Sequence, residues 1–229
     1  MGRGRGRGRG KANVTATPVA SPTYPVACTE TVYDGVGDFY NSSAAAFKDT
    51  GPQTFVGEFW FDTGAQDGGL FSNNPSGATT SGVQTFYQNS TNRLYFNLMA
   101  GGSWKTIGFA TVTENQWNTF CITFDATDGT YWYNGSSVGS IATGAFTASV
   151  SDFYLGRDNF SALRLLQGRM RNFGHYQGKV TNGQDYTPGD VSNLTGITGT
   201  IYESPAGNGT GTPDRSFTTN GDPTEQPCT

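Results

Sequence analysis

The chain has 229 residues, about a fifth of them Gly (33) or Pro (10); 14% are aromatic and only 14% charged. Thr, Ser, Val, Tyr and Phe displace the usual helix formers, which excludes a helical bundle or an alternating βαβ chain. The net charge of −4 hides a +5 arm (Arg3, Arg5, Arg7, Arg9, Lys11) on a body of −9.

In chain order, residues 1–11 alternate Arg with Gly. Glycine removes helix preference and the arginines repel one another, so the arm is expected to be disordered alone, reaching roughly 35–40 Å when extended. No apolar h-region follows it, so no secretory signal is expected. No aromatic interleaves the arginines to stack on bases, so docking on an acidic protein partner is favoured over nucleic acid. Residues 12–30 hold three prolines and read as an extended linker ending in an edge strand.

From residue 31 the pattern changes. TVYDGVGDFYNSS reads as a hairpin with Asp-Gly punctuation. QTFVGEFWFDT alternates, with Phe55, Gly57, Phe59 and Phe61 on one face and Val56, Glu58, Trp60 and Asp62 on the other. GLFSN, VQTFYQN, RLYFNLMA and WKTIGFAT follow at short spacing. WNTFCITFD sets Phe120, Ile122 and Phe124 on one face; TYWYNGSSV separates Tyr131 and Tyr133 from Trp132, then turns at Asn134-Gly135. DFYLGRD and LQGRMRNFGHY complete about ten short strands with regular turns, the signature of an antiparallel sandwich or barrel. No helix longer than one turn is predicted. No run of 18 apolar residues offers a membrane helix. Residues 188–229 are Gly/Thr-rich and read as a surface tail with TGTIYES as its one strand.

The order YDGVGDFY, FVGEFWFDT, GLFSN, ENQWNTFCITFD, TYWYNGSSV, FYLGRD, LQGRMRNFGHYQGKVT resembles the laminin-G-like branch of the concanavalin A-like lectin/glucanase superfamily over residues 31–187. Met170-Arg171 departs from it, standing where that family usually has an apolar-acidic pair. The resemblance implies an all-β fold: two antiparallel sheets in a jelly-roll sandwich, flanked here by the arm and the tail. Members bind glycans, proteins or calcium, and a few hydrolyse glycans, so the fold alone does not fix the function.

Glucanases of that superfamily resemble one another in a strand of alternating carboxylates. Here Trp60 takes the central place, and Glu58 and Asp62 lie about 13 Å apart on what reads as a solvated strand face, too far for paired catalysis. A Cys121–His175 nucleophile pair is weighed against a packed thiol, which is favoured. Cys28 and Cys228 flank the domain and are left as either a pair or free thiols; three cysteines make no zinc knuckle or disulfide framework. Among the loop acids Asp34, Asp38, Asp67 and Asp158, the resemblance makes Asp34 and Asp38 the calcium candidates. Glycan recognition calls for aromatic platforms beside planar amides; Trp60, Trp104, Trp132 and Tyr87 are the candidates, with Asn134 and Asn97 as amides. Seven Asn-x-Ser/Thr sequons read as chance in so Asn-rich a chain.

A lectin-like body with a basic arm and no export signal leads to one expectation: a non-enzymatic bacteriophage virion protein, decorating or cementing the capsid or serving as a tail accessory. It would be made in the host cytoplasm, anchored by the arm to a capsid protein, and would multimerise on the particle with host glycans bound outward. A stand-alone cell-surface lectin is the alternative and a glycoside hydrolase the third reading.

Overall fold

The computed structural model describes residues 28–75, 77, 80–161, 164–207 and 209–228. The arm residues Arg3, Arg5, Arg7, Arg9 and Lys11, and the linker up to residue 27, lie outside them. Fifteen strands follow in order. They are β1 Thr29–Asp34, β2 Phe39–Ser42, β3 Gln53–Phe61, β4 Phe71–Ser72, β5 Val83–Gln88, β6 Arg93–Ala100, β7 Ser103–Thr111 and β8 Asn118–Phe124. After them come β9 Asp128–Tyr133, β10 Ser136–Ala142, β11 Phe153–Leu155, β12 Gln167–Gln177, β13 Gly199–Ser204, β14 Thr218–Asn220 and β15 Thr224–Pro227. Three 3-10 turns are the only helical segments among the described residues, and no helix is long and apolar enough to cross a membrane.

The strands form two antiparallel sheets. One runs β10-β9-β8-β3-β12-β1-β15; the other runs β14-β2-β11-β4-β5-β6-β7. The long strand β12 spends one edge on β3 and divides the other: Gln167–Met170 take β1, and Phe173–Gln177 take β13. At the break, a bulge with Asn172 in the left-handed region (φ 51°) shifts the register against β3.

The predicted faces hold, but the predicted hairpin over TVYDGVGDFYNSS does not: β1 and β2 lie in different sheets, so the Asp-Gly turn crosses from one to the other. Phe55, Phe59 and Phe61, Phe120, Ile122 and Phe124, and Tyr131 pack between the sheets with Phe71, Phe96 and Phe153. The Asn134-Gly135 turn has both residues at positive φ, matching the right-handed twist of its hairpin. The tail reading is corrected. TGTIYES does form β13, but β14 and β15 also join the sheets, pairing with β2 and β1. A disulfide joins Cys28 to Cys228, so the domain extends from one cysteine to the other. Such a crosslink restricts the unfolded chain and typically stabilises a fold by about 2–4 kcal/mol.

Residues 178–198 leave the sandwich, cross the outer face of the eight-stranded sheet and make a second small core. Val180 and Leu194, with Tyr186, Val191 and Ile197 beside them, pack on Val56, Cys121, Trp132 and Tyr176. Gly183 is needed at the contact, since a Cβ there would sit 2.3 Å from the Trp132 ring.

Candidate functional site

Beyond the covered part of that face, alternation turns Glu58 and Trp60 of β3, Arg169 and Arg171 of β12, and Glu30 and Val32 of β1 outward. Glu58 stands opposite Arg171, and Trp60 opposite Arg169. The result is a charged row next to an aromatic one.

In the charged row, Arg171 donates through Nε to Glu58 Oε2 at 2.9 Å and through Nη2 to Oε1 at 3.2 Å; Asn172 Nδ2 adds a third bond to Glu58 at 2.6 Å. Glu30 lies 4.0 Å from Arg171 and accepts from Arg169 (3.0 Å) and Gln226 (2.6 Å). Both carboxylates are buried, at 3% and 0% exposure. Charges so far from water persist only when paired, and each here has a guanidinium partner. The unusual Met170-Arg171 pair is thereby explained: Met170 enters the core and Arg171 bridges acids from two neighbouring strands.

In the aromatic row, half-buried Trp60 meets Trp117 edge to face at 6.0 Å; the Arg169 guanidinium lies 5.1 Å from the Trp60 ring, and Arg171 is 3.9 Å from Trp117. The Trp117 indole N–H is buried without a partner among the described residues. Trp117 was missed in the sequence because it precedes its strand, where alternation assigns no face.

The other predicted residues are dispersed. Trp132 points outward as expected but is buried under residues 178–198, so it is no open platform. Tyr87 is in the core, stacked on Phe61 at 4.1 Å, with its hydroxyl donating to Glu114. Trp104 sits on β7, opposite Met99 in the other sheet. Asn134 ties the β9–β10 turn to the start of β8, accepting from the Thr119 N–H at 2.7 Å and donating to Asn118. Asn97 is buried and accepts from Thr106. The solvated reading of Glu58 is likewise overturned by its burial.

Cys121 and His175 face opposite sides of the sheet. Burial pushes the Cys121 thiol pKa up, leaving it a packed thiol. His175 is sandwiched in the core, 4.0 Å from the Phe55 ring, with Nε2 bonded to Gln53 at 2.8 Å. Burial, then the charge of Arg215, pulls its pKa down to about 3, so the ring is neutral at physiological pH.

Asp34 and Asp38 do come together, joined by Asp222 from the far end of the chain; their ligand oxygens lie within 4.8 Å of one another. Asp38 is buried and accepts the N–H groups of Asp34 and Asp222, and burial is the chief cause of its raised pKa. No lysine or arginine neutralises the three among the described residues. A set of hard carboxylate oxygens with spare lone pairs fits calcium. Asp67 and Asp158 lie elsewhere, the latter paired with Arg164 at 3.0 Å.

A family model described as the concanavalin A-like lectin/glucanases superfamily matches residues 34–184. The chain belongs to this superfamily. No curated protein matches it. Among solved structures, this superfamily member is similar to the native heptameric SAP-like pentraxin of Limulus polyphemus, with a TM-score of 0.58 and 14% identity over 90% of this chain and 97% of that one. It is similar to a provisionally assigned carbohydrate binding protein from Bacteroides ovatus, with a TM-score of 0.60 and 15% identity over 89% and 61% of the two chains. It is also similar to mouse laminin α1 domains LG4-5, at 0.51 and 16% over 80% and 48%. At such identities the likeness is one of fold, and the fold is lectin-like.

Proposed function

We propose that the chain is a non-catalytic carbohydrate-binding module whose platform is the Trp60–Trp117 row. The observation that carries this reading is that row itself. Two indoles, a guanidinium and a fixed line of charges share one outer face, and sugars stack their C–H faces on such rings while hydroxyls bond the polar groups. The absence of catalysis is supported by Glu58, whose oxygens are committed to Arg171 and Asn172. Asp34, Asp38 and Asp222 would hold a calcium ion. Asp34 follows Val32 by two residues on the outer face of β1, about 7 Å along the strand, so the ion would brace the rim of the platform.

The wider role we propose is display. The Arg-Gly arm would attach the module to a virion protein as a capsid decoration or tail accessory, and the body would face outward. The Cys28–Cys228 disulfide is consistent with a working life in oxidising surroundings.

A glycan array at millimolar calcium tests the binding role. Trp60→Ala and Trp117→Ala are expected to abolish binding, while Trp104→Ala keeps it. A protein that binds no glycan, or whose binding ignores both first variants, refutes the platform. Deleting residues 2–11 tests the arm: unchanged particle occupancy would end the anchoring proposal.

A further inference from the structure

Where residues 178–198 meet β12 and β13, they leave a cleft of about 150 Å³, lined by Asn172, Tyr176, Tyr186, Val191 and Glu203 among others. A cavity of this size takes up one six-membered ring. Its walls are aromatic and aliphatic; the tyrosine hydroxyls already donate, to Glu203 and to the Asn172 backbone carbonyl, and the Ser204 hydroxyl also lines it. Glu203 accepts from the Tyr176 hydroxyl at 2.7 Å through Oε1, and its other oxygen has no partner among the described residues. Burial, followed by the neighbouring Glu203, raises the Tyr176 pKa, so this phenol stays protonated and keeps donating to the carboxylate.

Asn172 completes the set. Its Nδ2 is fixed toward Glu58, because a carboxylate only accepts; the amide oxygen therefore points away from Glu58. That oxygen would stand 3.1 Å from a Cβ placed on Gly189, another residue of the lining. The cleft thus presents a carboxylate and an amide oxygen, and its lining includes no lysine or arginine. A ligand must bring the donors, must not be an anion, and needs an apolar face for Val191 and the tyrosines.

We propose that this cleft is a subsite for one neutral hexose ring, its hydroxyls donating to Glu203 and Asn172. Asn172 bonds Glu58, whose partner Arg171 stacks on Trp117, so the subsite and the platform are neighbours on one face. The proposal rests on the carbohydrate-binding reading and adds the class of sugar that ends the bound chain.

The test uses the full chain and calorimetry. The probes are the methyl glycosides of glucose, galactose, mannose and N-acetylglucosamine, with methyl glucuronide and choline as counter-probes and neutral trisaccharides for the whole face. At least one neutral methyl glycoside is expected to bind. Val191→Phe, which fills the cleft, and Glu203→Gln, which removes the charge at nearly constant shape, should each weaken it at least tenfold. Trp104→Ala, on the other sheet, should change it less than twofold, while Trp60→Ala weakens a trisaccharide tenfold or more. Thermal melts establish that each variant is folded. Trisaccharide binding that responds to Trp60→Ala but to neither cleft variant overturns the subsite and leaves the platform standing. Binding of glucuronide or choline in preference to every neutral glycoside, lost on Glu203→Gln, overturns the ligand class. No sugar binding of any length removes the platform reading, and the subsite with it.

Discussion

The outer faces of the two sheets solve the same problem differently. Both carry arginines set against aromatic rings. On the eight-stranded sheet, Arg171 is 9% exposed at its side chain and bridges Glu58 and Glu30 while stacking on Trp117. On the seven-stranded sheet, Phe86, Tyr95 and Phe109 form a cross-strand row. Arg93 lies 4.2 Å from the Phe109 ring and Arg164 lies 4.1 Å from Phe86. Phe109 is 41% exposed, so water still reaches this row. A guanidinium that keeps some water is adequately served by an aromatic face. One that loses its water requires carboxylates, which then fix its position. The face of the eight-stranded sheet is thereby the more preorganised of the two, and that is why the candidate site is placed there.

The sharpest way to break this comparison is to remove one arginine from each face. Arg171→Met leaves the buried Glu58 carboxylate without a cation, while Glu30 keeps Arg169, and is expected to cost roughly 3–5 kcal/mol in urea unfolding. Arg93→Met is expected to cost about 0.5–1 kcal/mol. Equal losses would mean that burial does not separate the two faces. Next in size is the disulfide. Cys28→Ser with Cys228→Ser should cost about 2–4 kcal/mol. Hydrogen exchange should rise first at β15, whose backbone pairs with β1 beside the crosslink, and little in β5–β7. Uniform exchange would show that the crosslink does not act locally on the platform edge.

Calcium sharpens the same contrast at the rim. At a hundredfold excess over its dissociation constant it should add about 2.7 kcal/mol, read as a rise in Tm that Asp222→Asn abolishes. Asp38 has a raised folded pKa, so its ionisation opposes folding above that pKa and the opposition vanishes in acid. The gain from calcium should therefore shrink as pH falls through the carboxylate range. A gain independent of pH or of Asp222 would exclude this site. The smallest effect, read over the single unit from pH 6.5 to 5.5, concerns the layer between the faces. His175 has a folded pKa depressed to about 3, so below about pH 6.5 the unfolded chain takes up a proton that the folded one refuses. Stability is full above that pH and falls toward pH 3, by up to about 1.4 kcal/mol per unit. His175→Gln should flatten the slope between pH 6.5 and 5.5; an unchanged slope would assign it to other groups.

Much of the architecture was legible in the residues. The alternation of QTFVGEFWFDT placed Trp60 and Glu58 outward, and the Asn-Gly turn placed the β9–β10 hairpin; the Asp-Gly turn closes none, because β1 and β2 enter different sheets. The site was legible only in part. Trp60 was found, and Asp34 was joined to Asp38 through a local turn. Trp117 was missed because it lies one residue outside β8, and Asp222 because it is 184 residues from Asp38. Trp132 was assigned the correct face and the wrong surroundings.

What the sequence determined by itself was the fold class, the strands from residue 31 to β12 and the side of the sheet to which each side chain points, because those follow from a period of two and local turn chemistry. Tertiary structure alone decided that residues 178–198 cover Trp132, that Arg171 lies between Glu58 and Glu30, that the last thirty residues complete both sheets, and that Cys28 meets Cys228. Each of these depends on which distant strands become neighbours, and the free energy of burying a charge or a ring depends on what covers it, a quantity that no local pattern encodes.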